Sequence, residues 1–311
     1  MKVLIFGATG FLGSHLCEEL LKKQYEVGIY FRENSTNMRN IKPFFDDLYK
    51  CEGVFAEELN FDHIVKGYDI VYQLISTTVP SKNDPLEDIE LTIKPMVRLI
   101  AACKRNNVKK IIFFSSGGTV YGIPHSIPIK ETHPTDPISA YGIQKLVLEK
   151  YLEYYYRMFG MDYMILRISN PYGERQRPFS AQGLIANILG HYFIQHPIKI
   201  WGDGSVIRDY IYVQDVVEVA ERVIYYNGCE KIFNIGSGQG HSVNEIINII
   251  DSVIGDKVAV QKIEARRQDV PSNVLDIGLV KQELGWSPTV NLEMGITKMY
   301  KAWNPLEKLF I

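Results

Sequence analysis

Tyr141 and Lys145, in the stretch YGIQK, stand four residues apart, a spacing that puts both on one face of a helix. An ammonium beside a phenol favours the phenolate and draws its pKa down from about 10 toward neutrality. Tyr141 is therefore a candidate acid–base group for a carbinol proton. Taken alone the pair is weak, because the chain holds 19 tyrosines. Upstream, SSGGTVYG (115–122) follows the apolar run VKKIIFF and offers three hydroxyls, Ser115, Ser116 and Thr119. In an extended chain Ser115 and Ser116 point to opposite faces, and Ser115 reads as a backbone-satisfied turn residue. Glycines 117 and 118 permit backbone conformations that turn Thr119 inward. Thr119 is the preferred proton relay to Tyr141, with Ser116 the alternative.

Gly7, Gly10 and Gly13 form G-x-x-G-x-x-G between an apolar run and a helical pattern at the start of the chain. Such glycines let the turn close and set backbone N–H groups against a pyrophosphate at the helix N-terminus. The position makes this a dinucleotide-binding turn. Where the second strand ends, a carboxylate would ordinarily hold the adenosine ribose hydroxyls; here Phe31 and Arg32 follow one another. Phe31 accepts no hydrogen bond, and Arg32 suits a 2′-phosphate, an adenine face or plain solvent. NAD is the expected cofactor, with NADP left open by Arg32.

Apolar runs at 3–6, 27–31, 69–75, 110–116 and 163–169 alternate with helical patterns, including 88–106 and 140–159. That alternation predicts a parallel sheet with crossover helices. After Asn170 the segments shorten and gain Pro and Gly, with strands at 210–213 and 231–236 and helices near 183–195, 243–254 and 276–284. The expected fold is α/β, a Rossmann-type doubly wound parallel sheet with a smaller C-terminal α/β lobe. The expected division is 1–169 plus 211–240 for the dinucleotide domain and 170–210 plus 241–311 for the lobe.

A net charge of -2, with 46% hydrophobic and 23% charged residues over 311 positions, is that of an ordinary globular chain. It gives no sign of a nucleic-acid partner. The four scattered cysteines make no C-x-x-C pair, against a zinc site and for reduced cytoplasmic thiols; no metal is expected. MKVLIFGATG reads as strand and glycine turn rather than signal peptide, and no apolar run has membrane-spanning length. The apolar tail AWNPLEKLFI is read as packing on its own lobe or on a second subunit.

GATGFLG, SSGGTVYG, YGIQK, RISNPYG, GDGSVIRDYIYVQD and FNIGSG together resemble the extended short-chain dehydrogenase/reductase family over almost the whole chain. Within it they are most similar to UDP-hexose 4-epimerases. The resemblance implies bound NAD, with Phe11, Leu12, Leu74, Ser76, Ser115 and Ile168 along the cofactor beside the glycine turn, and Lys145 on the nicotinamide ribose. It places Asn170, Arg208 and Arg266 on a diphosphate, Trp201 and Lys199 at uracil, and Asp269 and Asn273 in the sugar site. Asn273 stands where a tyrosine crowds the sugar's C2 side in enzymes restricted to UDP-glucose and UDP-galactose, so a 2-acetamido group is expected to fit. The chain departs from the family at Thr78, Thr92, the R-R-Q-D stretch and Gly117, where a relay serine is missing. Arg267, Arg175 and Arg177 are candidates to offset the lost phosphate contacts.

The implied reaction is inversion at C4 of a UDP-hexose through a transient 4-keto sugar. Gly118 and Thr119 replace the Asp-Glu of 4,6-dehydratases, and the missing glutamate also disfavours a sugar-acid decarboxylase. A 4-keto-sugar reductase using NADPH is the enzymatic rival, and a non-catalytic dinucleotide sensor the other. A homodimer is expected through helices 88–106 and 141–159, with Val97, Ile100, Leu148 and Leu152 among the apolar residues.

Overall fold

The computed structural model describes residues 1–32, 34–56, 59–76, 84–264 and 270–304. Its strands are β1 (Lys2–Phe6), β2 (Glu26–Phe31), β3 (Tyr49–Glu52), β4 (Ile70–Gln73), β5 (Lys110–Ser116), β6 (Asp162–Ile168), β7 (Asn170–Tyr172), β8 (Ile198–Trp201), β9 (Ile207–Tyr212), β10 (Ile232–Ile235), β11 (Gly240–Ser242), β12 (Val260–Ile263) and β13 (Ser272–Asn273). Its helices are α1 (Phe11–Lys22), α2 (Phe61–Val65), α3 (Pro85–Asp88), α4 (Lys94–Arg105), α5 (Ala140–Phe159), α6 (Leu184–Phe193), α7 (Val213–Arg222), α8 (Val243–Ile254), α9 (Gly278–Leu284) and α10 (Leu292–Trp303).

Seven strands form one sheet in the order β10-β6-β5-β4-β1-β2-β3. Pairing is parallel from β3 through β2, β1 and β4 to β5. Val3, Leu4, Ile5 and Phe6 of β1 are all fully buried, as a strand covered by helices on both faces requires. One core cluster packs Leu4, Phe6 and Val71 of the sheet against Leu99, Cys103, Leu148 and Leu152. The ring of Phe6 meets Tyr30 at 5.0 Å, Phe55 at 5.9 Å and Phe61 at 6.2 Å. The chain order reverses between β1 and β4, so the loops leaving these strands flank the crevice where such sheets take ligands.

The chain divides into two compact units, residues 1–120, 135–167 and 217–233 in one, and 121–134, 168–216 and 234–311 in the other. The second unit is built on β9, paired with β11, β13 and β7, with a separate parallel pair of β8 and β12. Asp209, in the middle of β9, is fully buried and accepts from the amides of Ser237 (2.7 Å), Gly238 (3.2 Å) and Leu275 (3.3 Å).

The structure departs from the sequence reading in three places. The stretch 88–106 is helical as expected but not uniformly α: α3 runs without a gap into a wider π turn at Ile89–Ile93 and on into α4. Pro95 lies in the first turn of α4, where it has no N–H to bond back with, and the wider turn absorbs the break. The strand expected at 210–213 runs from Ile207 to Tyr212, and Val213 already opens α7. Ile100, Leu148 and Leu152, expected at a subunit interface, are 0%, 0% and 1% exposed in the chain's own core.

Lys110, at the start of β5, is 3% exposed and donates to the carbonyls of Val223 (3.1 Å), Ile224 (3.0 Å) and Tyr226 (2.6 Å). It closes the turn that follows α7 onto the sheet, and burial holds its ammonium below the usual lysine range. Lys110→Met strands these carbonyls without a donor. Denaturant unfolding of this variant is expected to show a loss of about 3 kcal/mol, and an unchanged midpoint refutes the clamp.

Candidate functional site

The glycine turn has the shape its spacing predicts. Gly7 sits at φ +91°, a conformation side chains avoid, and the Gly10 amide closes on the Gly7 carbonyl at 3.0 Å. A Cβ at Gly13 would lie 2.2 Å from the Gly7 oxygen and 2.8 Å from its carbonyl carbon, both backbone atoms that cannot step aside. Gly10 is the N-cap of α1; no side chain caps the helix, and no acidic residue stands in its first turn. The first-turn amides and the positive end of the helix dipole therefore suit an anion such as pyrophosphate. Phe11 and Leu12 are half-buried on this turn. The loop after β2 folds back on it, with Asn40 Nδ2 donating to the Thr9 carbonyl at 3.0 Å and Thr9 Oγ1 3.2 Å from Ser35 Oγ. Phe31 is buried edge-on against Phe45 at 5.6 Å, and Arg32 is exposed.

Tyr141 and Lys145 lie in the first two turns of α5, whose N-cap Ser139 takes the Gly142 amide at 3.1 Å. Gly142 sets how close this helix comes to the SSGGTVYG loop. A Cβ there would meet the Thr119 carbonyl oxygen at 2.8 Å and Pro137 Cβ at 2.9 Å. Thr119 and the tyrosine turn are thus packed together through backbone. The loop itself is a tight turn, with the amides of Thr119 (3.3 Å) and Val120 (3.1 Å) both on the Ser116 carbonyl. Neither Gly117 nor Gly118 takes a left-handed conformation, so Thr119 owes its orientation to the turn and to packing rather than to glycine freedom. Its Oγ1 is buried and has no hydrogen-bond partner among the described residues. Ser116 is half-buried.

Lys145 is 3% exposed; its Nζ donates to the Phe114 carbonyl at 2.9 Å and lies 5.5 Å from the Tyr141 ring centroid. Burial pushes the Tyr141 phenol up to about 12, against a hydrogen bond with the Ser76 side chain that favours ionisation. Burial also brings Lys145 down to about 8, opposed by the charge of Glu149. Burial thus works against the charged form of both groups and opposes the phenolate expected from the lysine spacing. Ser76, expected only along a cofactor, is a partner of the tyrosine. Leu74 is half-buried at the same end of β4, its amide on the Phe6 carbonyl at 3.0 Å. Ser115 turns away from the loop and donates to Glu149 at 2.5 Å.

In the second unit, Asn170 donates to the Asp209 carbonyl at 2.9 Å. Arg208 Nη1 reaches the carbonyls of Ile207 (2.8 Å) and Val270 (2.6 Å). Asn273 stands beside Arg208 in the β13–β9 register and is 1% exposed. Lys199 and Trp201 share the outer face of β8, with Trp201 43% exposed. Trp286, by contrast, is a core tryptophan, 1% exposed. Ile168 is buried beside the Ser169–Ile235 backbone bond of 2.8 Å. Arg266, Asp269, Arg267 and Thr78 lie outside the described residues. The role of Asp209 as a backbone hub escaped the sequence reading; its only signal was the R-D-Y triplet. Among the described residues no cluster of three or more His, Cys, Asp or Glu could hold a metal, and no helix is long and apolar enough to cross a membrane.

The model of the NAD dependent epimerase/dehydratase family matches residues 3–236. A Methanocaldococcus jannaschii protein, provisionally named a UDP-glucose 4-epimerase, is 34% identical over 96% of both chains. An Escherichia coli dTDP-4-dehydro-6-deoxyglucose reductase is 33% identical, again over 96% of each. The solved structure of UDP-glucose 4-epimerase with UDP-glucose from Thermotoga maritima is similar with a TM-score of 0.92 at 32% identity, covering 98% of this chain and 99% of that one. With the uncapped glycine turn, the seven-stranded parallel sheet and the tyrosine–lysine helix in place, this chain belongs to the NAD-dependent epimerase/dehydratase family.

Proposed function

We propose that the chain inverts C4 of a UDP-hexose, interconverting UDP-GlcNAc and UDP-GalNAc and also admitting UDP-glucose and UDP-galactose. The observation that carries the chemistry is the packing of Tyr141, Lys145, Ser76 and the partnerless Thr119 hydroxyl around the first turn of α5. NAD, when bound, supplies the hydride acceptance and return. Tyr141 takes the O4 proton as C4–H leaves as hydride, and gives it back after the 4-keto sugar has turned over. The Lys145 ammonium and the Ser76 hydroxyl stabilise the phenolate that accepts this proton, and Tyr141 is the neutral phenol until it returns it. Thr119 Oγ1 relays the proton in place of the serine missing at Gly117. Gly7, Gly10 and Gly13, with Phe11 and Leu12, hold the dinucleotide. Asn170, Arg208 and Arg266 hold the diphosphate, and the exposed Trp201 face with Lys199 takes uracil.

A second reading, a 4-keto-sugar-nucleotide reductase, is favoured by the adenosine end of the cofactor turn, where Phe31 is buried and Arg32 exposed. The similarity to a reductase runs the same way. Incubation of the purified protein with UDP-GlcNAc, UDP-glucose and UDP-glucuronate, followed by separation of C4 epimers, decides between them. Epimers formed without net cofactor consumption support the epimerase. Consumption of NADPH by a 4-keto sugar with no epimers selects the reductase.

The relay has a sharp test. Thr119→Val keeps the shape and removes a hydroxyl that has no hydrogen-bond partner among the described residues, so thermal stability is expected to hold. Turnover is expected to drop about 10²–10⁴-fold, and near-normal turnover leaves Tyr141 acting without it. Substrate width rests on Asn273. Asn273→Tyr is expected to impair UDP-GlcNAc far more than UDP-glucose, whereas equal losses contradict the steric account.

The chain is also proposed to form a homodimer through α5 and the α3–α4 segment. Ile143, Tyr151, Tyr154 and Met158 fall at helical spacing on one face of α5 and are 51%, 39%, 49% and 61% exposed; Leu86 and Ile89 are exposed nearby in sequence on α3 and the π turn. Tyr154→Glu with Met158→Glu is expected to halve the mass in sedimentation at micromolar concentration. A wild-type chain already monomeric there rules the dimer out.

A further inference from the structure

Lys145 rests on a buried charged cluster to which the proton transfer above gives no role. Tyr141, Lys145 and Glu149 follow at intervals of four residues and share one face of α5. The Glu149 carboxylate, 3% exposed, accepts from Ser115 Oγ at 2.5 Å, from Arg167 Nη2 at 2.6 Å and from Arg167 Nε at 3.1 and 3.3 Å. Ser115 is 6% exposed on β5 and Arg167 4% exposed on β6. Three consecutive residues of β5 serve this helix face. The Phe113 ring lies 4.9 Å from Lys145 Nζ, the Phe114 carbonyl accepts a hydrogen bond from that Nζ, and Ser115 donates to Glu149. Burying an ion pair so completely gains little over apolar packing of equal volume. The arrangement calls for another reason.

We propose that Ser115, Glu149 and Arg167 form a positioning cluster for Lys145. Glu149 supplies the negative charge that keeps the ammonium in place in a dry site. Arg167 and Ser115 fix that carboxylate and set how much of its charge Lys145 feels. The proposal rests on the reading of Tyr141 and Lys145 as the proton-transfer pair. The groups facing Lys145 bear it out. From its own helix these are Tyr141 and Glu149, and from β5 the Phe113 ring, the Phe114 carbonyl and Ser115. From β6 Arg167 acts through Glu149, and the Asp88 carboxylate beside the π turn is taken by Gln144 at 2.7 Å. Glu149 is the charge that opposes the burial of Lys145.

The sign of the effect separates this role from mere packing. Glu149→Gln keeps the size and an acceptor for Ser115 and Arg167 but removes the negative charge, so Lys145 loses its proton at lower pH. Arg167→Gln removes the compensating positive charge, so Lys145 keeps its proton to higher pH. The measurement is an NMR titration of protein carrying ¹³C at the lysine ε-carbon, with no substrate, the Lys145 signal being identified by its loss in Lys145→Arg. The wild-type midpoint is expected near about 8. The variants are expected to move it in opposite directions, by about one unit for Glu149→Gln and by less for Arg167→Gln, whose charge reaches Lys145 past the carboxylate, and the alkaline limb of turnover is expected to follow.

Shifts in the same direction, or none, overturn the proposal, as does a turnover limb that ignores the midpoint. If either single variant fails to fold, the double variant Glu149→Met/Arg167→Met takes its place. Its Lys145 midpoint must lie below the wild-type value, and an unchanged midpoint overturns the proposal. Because the titration needs no sugar nucleotide, failure of the epimer assay with opposite shifts intact sinks the functional reading and leaves the cluster standing.

Discussion

Placing an ammonium and a phenol side by side away from water is the constraint on which the first unit is organised. Each group is penalised for its charged form by burial, and the penalties run in opposite directions: the phenol holds its proton more tightly and the ammonium less. Much of what surrounds them answers this problem. The Phe114 carbonyl and the Phe113 ring take the ammonium, Ser76 takes the phenol, and Glu149 supplies countercharge. A site balanced in this way is sensitive to small charges, which suits the reversible proton transfer proposed for Tyr141.

The same helix ties chemistry to fold. α5 packs Leu148 and Leu152 into the sheet core while its first turn presses on the loop leaving β5. The loop leaving β4 supplies Ser76, and the loop leaving β1 supplies the glycine turn, so the groups of the first unit stand at the same end of neighbouring parallel strands. In the second unit a single buried carboxylate plays the organising part. Asp209 draws the backbone of Ser237, Gly238 and Leu275 to β9, fixing the strand that carries Arg208 and the neighbour that carries Asn273. Hydrogen bonds from amides and a hydroxyl offset the cost of burying it, although burial still raises its pKa.

Much of this was legible in the chain itself. Six of the seven strands of the central sheet showed as apolar stretches, because strands covered on both faces carry little polar alternation. The glycine turn was readable because its spacing is a steric requirement, as the Gly13 contacts demonstrate. Edge and lobe elements were missed where they are short or half-exposed, as with β3 and its largely exposed YKCE. The long helix before β5 was legible, but not the π turn within it, because a period count does not register the missing N–H of Pro95. Ile100, Leu148 and Leu152 were assigned to an interface since amphipathic spacing marks a buried face without naming what buries it.

The sequence by itself determined the fold class, the cofactor turn, and the tyrosine and lysine on one helical face, since each follows from local spacing and backbone sterics. Only the tertiary structure decided what those groups are in place. Spacing predicted a phenolate; burial, which depends on every element packed around the pair, acts against the charged form of both the phenol and the ammonium. Spacing likewise favoured Thr119 and set Ser115 aside as a backbone-satisfied turn residue, without showing what either hydroxyl meets. The partners of each come from distant segments: Glu149 claims Ser115, and the close approach at Gly142 leaves Thr119 Oγ1 buried without a partner among the described residues. Solvation and long-range pairing are properties of the packed chain, and no local pattern encodes them.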